Sequence, residues 1–272
     1  MTGTDLGAWA VGLPVTAAVC LVLFGGAFVL GAAKARHRIV DVVWGPAFAA
    51  VALTSFGLSA AHGDPARRWL ALVLTAVWGL RLGAHIGARS RGKPEDPRYE
   101  QLLSKAGDSP KARLWFAFTH VYLLQAALVW FISLPVQVAA YGTSGPGPQT
   151  VAAGALWLLG FGFEAVGDWQ LARFKADPAH HGKLMTRGLW RYTRHPNYFG
   201  DACVWWGLFL LAADQWAGLC TLASPVVMTL LLTVGSGMRL ADRHMAATRP
   251  DFAAYARRTS GFIPLPPRRE RA

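Results

Sequence analysis

The chain has 272 residues, 53% hydrophobic and only 15% charged, with 27 Lys and Arg against 15 Asp and Glu for a formal net charge of +12. Charged residues make up roughly a quarter of an ordinary soluble domain, so this balance excludes that class and predicts an all-α integral membrane protein. The positive excess does not point to nucleic acid, because it follows the connections between apolar runs.

Apolar runs long enough to cross a hydrocarbon core, roughly 20 residues for about 30 Å, fall near 7–33, 39–61, 69–88, 114–141, 150–172, 196–213 and 216–238. No cation precedes Lys34. The first run therefore lacks the basic flank of a cleaved secretory signal and is expected to be a spanning helix. Three Lys and Arg lie between the first two runs, seven between the third and fourth, six between the fifth and sixth and eight after the seventh, 24 of the 27. On the other side lie only Arg67 and Arg68, with Arg81 inside the third run. The positive-inside rule then predicts about seven transmembrane helices, with the N-terminus outside and the C-terminus cytoplasmic. Contact with anionic lipid accounts for most of the excess, so only particular cations are candidates for holding a ligand. The chain shows no repeat and no long linker, which makes 1–272 a single membrane domain, with 1–141 the expected substrate side and 150–272 the expected cofactor-binding core.

Asp41 opens the second run, either as a helix-entry residue paired with Arg38 or as an acid poised at a pocket. In the third run Arg81, His85 and Arg89 recur every four residues and form one polar stripe. A lone membrane histidine such as His85 is more often a packing residue than a functional one, and both readings stand for it. The segment SRGKPEDPRYEQL that follows is expected to be a solvated surface loop.

In the fifth run, Glu164, Asp168, Leu171 and Lys175 share one helical face. Acids in an apolar span are costly unless paired or facing a wet cavity, which makes function the default reading. A structural pair with Arg173, Lys175 or a neighbouring arginine is the alternative. Gly160, Gly162 and Gly167 allow close approach of a helix or a ligand.

The stretch GLWRYTRHPNYFGDACVWWG precedes and enters the sixth run. Begun at Pro196, the helix reaches about 27 Å at 1.5 Å per residue, and proline suits its first position. Arg194, His195, Asn197 and Tyr198 then crowd a helix N-terminus, where unpaired N–H groups and the dipole favour anions. Arg191 adds charge, so this tip is a candidate phosphate seat. At the far end, RPDFAAYARRTSGFIPLPP offers Arg249, Tyr255, Arg257 and Arg258 on an amphipathic segment. It reads as a plain basic interfacial helix or as one that closes over a site. Cys20, Cys203 and Cys220 lack metal-ligand spacing and are expected to be packing residues. His180 and His181 are adjacent, so no metal is expected.

RGKPEDPRY, GFGFEAVGDWQL, GLWRYTRHPNYFGD and RPDFAAYARRTSGFIPLPP, in this order, resemble the bacterial members of the steroid 5-alpha-reductase-like superfamily, of the DUF1295 type. The RHP-x-Y-x-G segment is also similar to one in isoprenylcysteine carboxyl methyltransferases, which bind S-adenosylmethionine. The reductase resemblance implies a seven-helix fold with a cytoplasm-open cavity for NADPH. Its hydride reduces a carbon–carbon double bond conjugated to a carbonyl in a lipophilic, steroid-like or isoprenoid-like substrate. By motif position the cofactor set comprises Glu164, Asp168, Lys175, Tyr192, Arg194, His195, Asn197, Tyr198, Asp201, Arg239, His244 and Tyr255. Glu164 stands where the steroid enzymes typically carry an amide. Of the acid and tyrosine with which those enzymes grip the substrate ketone, Asp41 and His85 are the nearest candidates here.

The resemblance thus implies an NADPH-dependent oxidoreductase acting on a CH–CH group, in a bacterial cytoplasmic membrane, with its site open to the cytoplasm. Its partners are the bilayer and a lipophilic small molecule, with neither nucleic acid nor metal. An S-adenosylmethionine-dependent membrane methyltransferase and a non-enzymatic lipid-binding or transport protein are the alternatives. Oligomeric state is left open.

Overall fold

A computed structural model describes residues 3–235 and 237–268. Those residues form helices and no strand, with two isolated backbone bridges, Thr4 to Gly142 and Thr193 to Ser260. The protein is an all-α membrane bundle. Six stretches are long and apolar enough to span: Leu6–Lys34, Ile39–Leu58, Pro65–Ser90, Pro110–Ile132, Pro148–Ala176 and the interrupted run Trp216–Thr248. The expected sixth span is the helix Pro196–Ala212, whose 17 residues reach about 26 Å, which makes it the shortest of the expected seven.

Two compact units emerge, Met1–Gly147 with Leu211–Ser224, and Pro148–Leu210 with Pro225–Ala272. The first contains α1 (Leu6–Lys34), α2 (Ile39–Leu58), α3 (Pro65–Ser90), α4 (Pro97–Ser104), α5 (Pro110–Ala117), a π-helical segment Phe118–Leu123, α6 (Leu124–Ile132) and α7 (Leu134–Ala140). Its N-termini are sealed by short side chains. Asp5, Asp64, Asp96 and Ser109 each accept a backbone N–H of the helix that follows, and proline takes the first position after the last three. Helices α2 and α3 pack backbone to backbone, because Gly45 faces Gly79 and Gly83 faces the Pro46 ring. Phe48 and Trp78 close the same interface with centroids 5.6 Å apart.

Residues 211–224, including α10 (Trp216–Leu219), belong to this first unit. Asp214 is the reason. It accepts 2.6 Å from Arg67 Nη1, while the same guanidinium donates to the Leu211 and Ser144 carbonyls at 3.0 Å. Arg68 is buried too, donating to Ser59 Oγ at 2.9 Å and lying 4.5 Å over the Phe56 ring. The two arginines of the second face are thus structural.

The second unit holds α8 (Pro148–Ala176), most of α9 (Pro196–Ala212), α11 (Ala223–Thr233), α12 (Met238–Thr248) and α13 (Phe252–Arg258). A glycine seam joins α8 to α9. A Cβ at Gly160 would fall 2.5 Å from the Gly200 carbonyl oxygen and 2.6 Å from Val204 N, and one at Gly167 would fall 3.1 Å from the Pro196 ring. Gly162 lies outside the seam, with nothing within 4 Å of its Cβ position.

Cys20 and Cys203 are buried as packing residues, whereas Cys220 is exposed in the turn after α10, so the expectation of packing does not hold for it. The turn leaves its side chain outward while Thr221 and Ser224 point in.

Candidate functional site

In the first unit, the polar cluster forms where the loop after α3 folds back on the start of α2. Glu95 accepts from the backbone N–H groups of His37 and, at 3.0 Å, Arg38, so it caps the α2 N-terminus from a distant part of the chain. Arg38 in turn donates to the Pro94 carbonyl at 2.6 Å and to Ser90 Oγ at 3.2 Å. The segment expected to be a solvated connection is thus a structural clasp.

The clasp delivers Tyr99, itself 7% exposed, onto Asp41. Tyr99 Oη donates to Asp41 Oδ1 at 2.6 Å, and Arg98 Nη2 lies 3.3 Å from Asp41 Oδ2 and 2.9 Å from Asp96 Oδ2. Asp41 therefore pairs with Arg98 and Tyr99, not with Arg38. Burial, reinforced by the Asp41 charge, pushes the Tyr99 phenol well above its ordinary value, so it stays protonated and acts as a donor. The Arg98 hydrogen bond holds the Asp96 carboxyl below its ordinary value. Beside the cluster, His37 Nδ1 lies 3.1 Å from Tyr122 Oη, and burial pushes that imidazole down against the opposing Glu95 charge.

His85 and Arg81 are half-buried and Arg89 is exposed. Val42, next to Asp41, packs between Gly83 and Gly87, which places the His85 turn of α3 at the same end of the α2–α3 pair. Tyr99, Arg98 and Glu95 were missed in the sequence. Their signal was Asp96 followed by Pro97, the cap and first-turn pair that also starts α3 at Asp64 and Pro65.

In the second unit the loop before α9 is fastened from both sides. Gly188 takes a positive φ of 60° over the Gln170 side chain, whose Oε1 accepts from Leu189 N at 3.0 Å. Trp190 Nε1 donates to the Gly167 carbonyl at 3.1 Å, and Tyr255 Oη to the Trp190 carbonyl at 2.6 Å. Burial raises the Tyr255 phenol well above its ordinary value, keeping that donor in place. Thr193 and Arg194 bond to the 256–262 segment, with Arg194 N donating 2.9 Å to the Ser260 carbonyl and its Nη1 donating 2.8 Å to the Thr259 carbonyl. The C-terminal segment, read as an interfacial helix or as one that closes over a site, is bolted to the loop before α9.

At the α9 tip, Arg194 Nη2 donates 2.8 Å to Asp242 Oδ2, and His195 Nε2 lies 2.7 Å from Asp242 Oδ1. His195 stacks on Tyr198 at 5.3 Å. The expected phosphate-binding cation Arg194 is thus paired with a carboxylate of α12 that the sequence did not single out, which also holds His195. Two atoms of the tip remain buried without a hydrogen bond, Arg194 Nε and Asn197 Oδ1, while Asn197 Nδ2 donates 3.3 Å to Asp168 Oδ1.

The rest of the expected cofactor set divides by exposure. Glu164, Asp168, Asp201, His195 and Tyr255 are buried, whereas Lys175, Tyr192, Arg239 and His244 are exposed. The expected face of Glu164, Asp168 and Lys175 therefore runs from interior to solvent along α8. Among the described residues no three His, Cys, Asp or Glu side chains are placed to hold a metal ion.

These features define an all-α integral membrane protein with two polar clusters, a buried phenol–carboxylate pair in one unit and a clamped, glycine-seamed helix tip in the other. More particularly, the chain belongs to the family described as a protein of unknown function, DUF1295, whose model matches residues 27–259. No curated protein and no solved structure matches the chain.

Proposed function

We propose that the protein is a membrane-embedded, NADPH-dependent reductase of a carbon–carbon double bond conjugated to a carbonyl in a lipophilic substrate, related to the steroid 5-alpha-reductase-like superfamily. It acts in a bacterial cytoplasmic membrane with its site open to the cytoplasm. The observation that carries this reading is the 2.6 Å contact of Tyr99 Oη with Asp41 Oδ1. An acid and a tyrosine are the pair with which the steroid enzymes grip a ketone, and here Tyr99 takes the place for which His85 was the sequence candidate.

NADPH, when bound, supplies the hydride. The chain's own task is the carbonyl end. Charge develops on that oxygen in the transition state, and a positioned donor stabilises it. With Asp41 protonated, its O–H donates to Tyr99 Oη and the phenol O–H turns to the substrate oxygen. With Asp41 ionised, the phenol stays committed to the carboxylate, as in the structure. Arg98 lies close enough to Asp41 to bias that equilibrium.

The residues of the second unit fit a phosphate-bearing cofactor through their exposed cations rather than through Arg194. Arg187, Arg191 and Arg239 are exposed and of the chemistry that holds phosphate oxygens. The unsatisfied Arg194 Nε and Asn197 Oδ1 offer one donor and one acceptor to a polar group of the cofactor.

One observation favours a second reading, an S-adenosylmethionine-dependent methyltransferase. Asp242 removes Arg194 from the cation count, which lowers the demand for a polyanionic ligand. The test is thermal stabilisation of the purified protein in detergent by each cofactor. NADPH is expected to raise Tm and S-adenosylmethionine to leave it unchanged, and the reverse outcome sinks the reductase. Tyr99→Phe is expected to keep stabilisation by NADPH while losing NADPH oxidation with lipophilic enones.

A further inference from the structure

At the end of the first unit opposite Asp41, where α1 begins and α2 ends, lies an open cavity of about 370 Å³ lined by Asp5, Gly12, Val15, Leu58, His62 and Tyr141 among others. Its size falls within the range of small-ligand sites, roughly 300–1,000 Å³. Tyr141 is 2% exposed, and its ring lies 6.2 Å from that of His62. Its hydroxyl lies against Gly12, where a Cβ would fall 2.6 Å from it, so the missing side chain keeps the space open. That hydroxyl belongs to a residue lining the cavity.

The other polar groups present acceptors. Asp5 Oδ1 accepts from Ala8 N at 3.0 Å and Oδ2 from His62 Nδ1 at 2.8 Å. A carboxylate has about four lone-pair sites, so two remain. His62 Nε2 is uncommitted, because only Nδ1 is engaged. Burial raises the Tyr141 phenol above its ordinary value, so it is neutral and its oxygen accepts as well. The lining contains a carboxylate and neither Lys nor Arg, while Val11, Val15 and Leu58 form an apolar wall.

We propose that this cavity binds the primary ammonium head and first carbons of a cationic alkyl amphiphile, with Asp5, His62 and Tyr141 around the head and Val11, Val15 and Leu58 along the chain. An ammonium carries three donors, for which Asp5 and Tyr141 offer acceptors, with His62 Nε2 a third when the ring carries its proton on Nδ1 alone. An alcohol has a single donor, and a phosphate or carboxylate head meets the Asp5 charge. A phosphatidylethanolamine headgroup and a free long-chain amine share this chemistry. The site stands whether or not the protein is a reductase.

The full chain in detergent is titrated with dodecylamine, dodecanol and dodecyl phosphate, and binding is followed by calorimetry. Dodecylamine is expected to bind best. Tyr141→Phe should weaken it about tenfold, the loss of one hydrogen bond to a charged group, with the ligand-free Tm unchanged. Asp5→Asn, which keeps a capping side chain for α1, should weaken it further. Nanodiscs of phosphatidylcholine with and without phosphatidylethanolamine identify the source: competition with dodecylamine assigns the site to the lipid, and its absence to a free amine. Equal binding of dodecanol, or wild-type affinity in Tyr141→Phe, overturns the proposal.

Discussion

Asp242→Ala tests whether the α9 tip is held by the protein's own carboxylate. The substitution removes the 2.7 Å contact to His195 and the 2.8 Å contact to Arg194, whose side chains are 3% and 15% exposed, while Asp242 itself is 21% exposed. Breaking a buried ion pair from one side costs about 3–5 kcal/mol. Partial exposure of the carboxylate lowers this to about 2–4 kcal/mol. For a chain of this size each kcal/mol moves Tm by about 2–4 °C, so a fall of roughly 5–15 °C is expected. Asp242→Asn is milder. Its oxygen still accepts from Arg194 and its amide stays beside His195 Nε2, so the geometry survives and the charge is lost. A second readout is local, because Arg194 also holds the Ala256 and Thr259 carbonyls. Trypsin cleavage after Arg257 and Arg258 should therefore accelerate in Asp242→Ala before global unfolding. Differential scanning fluorimetry and a proteolysis time course measure the two effects. Equal Tm values for the Ala and Asn variants, or a wild-type cleavage rate in Asp242→Ala, would refute the assignment.

Two neighbouring glycines of α8 should respond to alanine with opposite signs. Gly160→Ala drives a Cβ to within 2.5 Å of the Gly200 oxygen and 2.6 Å of Val204 N, backbone atoms that cannot rotate away, and overpacking costs about 1–3 kcal/mol. Gly162→Ala meets nothing within 4 Å and should gain the helix propensity of alanine, about 0.5–1 kcal/mol. The Tm of each variant decides, and a matching sign would remove the seam as the cause. The Asp96 carboxyl, held low first by the Arg98 hydrogen bond, stabilises the fold above its unfolded value near 3.8, and that contribution disappears as pH falls through the lower folded value. The Tm gap between wild type and Asp96→Asn should thus be present at neutral pH and close in acid. A gap independent of pH would assign it to packing instead.

Most of the fold was legible because a bilayer imposes a crude rule. Backbone groups must be satisfied within the segment, so apolar length translates into helix, and the runs at 7–33 and 39–61 became α1 and α2 with only their ends shifted. The return of 211–224 to the first unit was not legible. It depends on Asp214 reaching Arg67 across nearly 150 positions, and no periodicity encodes such a pairing. The same applies to the candidate site. Asp41 was visible as an acid at a helix start, but its partner Tyr99 sits 58 positions away in a segment whose prolines and charges read as a loop. Prolines after Asp64, Asp96 and Ser109 all mark helix starts here, so the segment carried the signal of a built element.

The helix tip shows why counting cations misleads. Arg191 and Arg194 stand three residues apart, and both add to net charge equally, yet one is exposed and the other is half-buried against Asp242. A guanidinium cannot shed its proton, and where a carboxylate such as Asp242 pairs with it, that carboxylate cancels the field an incoming phosphate would feel. An arginine paired in this way at a helix start is therefore weaker grounds for an anion site than an unpaired one. A polyanion that binds this unit meets exposed cations such as Arg187, Arg191 and Arg239, whose exposure leaves them screened by salt over a Debye length of about 8–10 Å. Cofactor affinity should accordingly be salt-dependent if phosphates carry it, whereas a ligand held by Arg194 Nε and Asn197 Oδ1 alone would bind almost indifferently to salt.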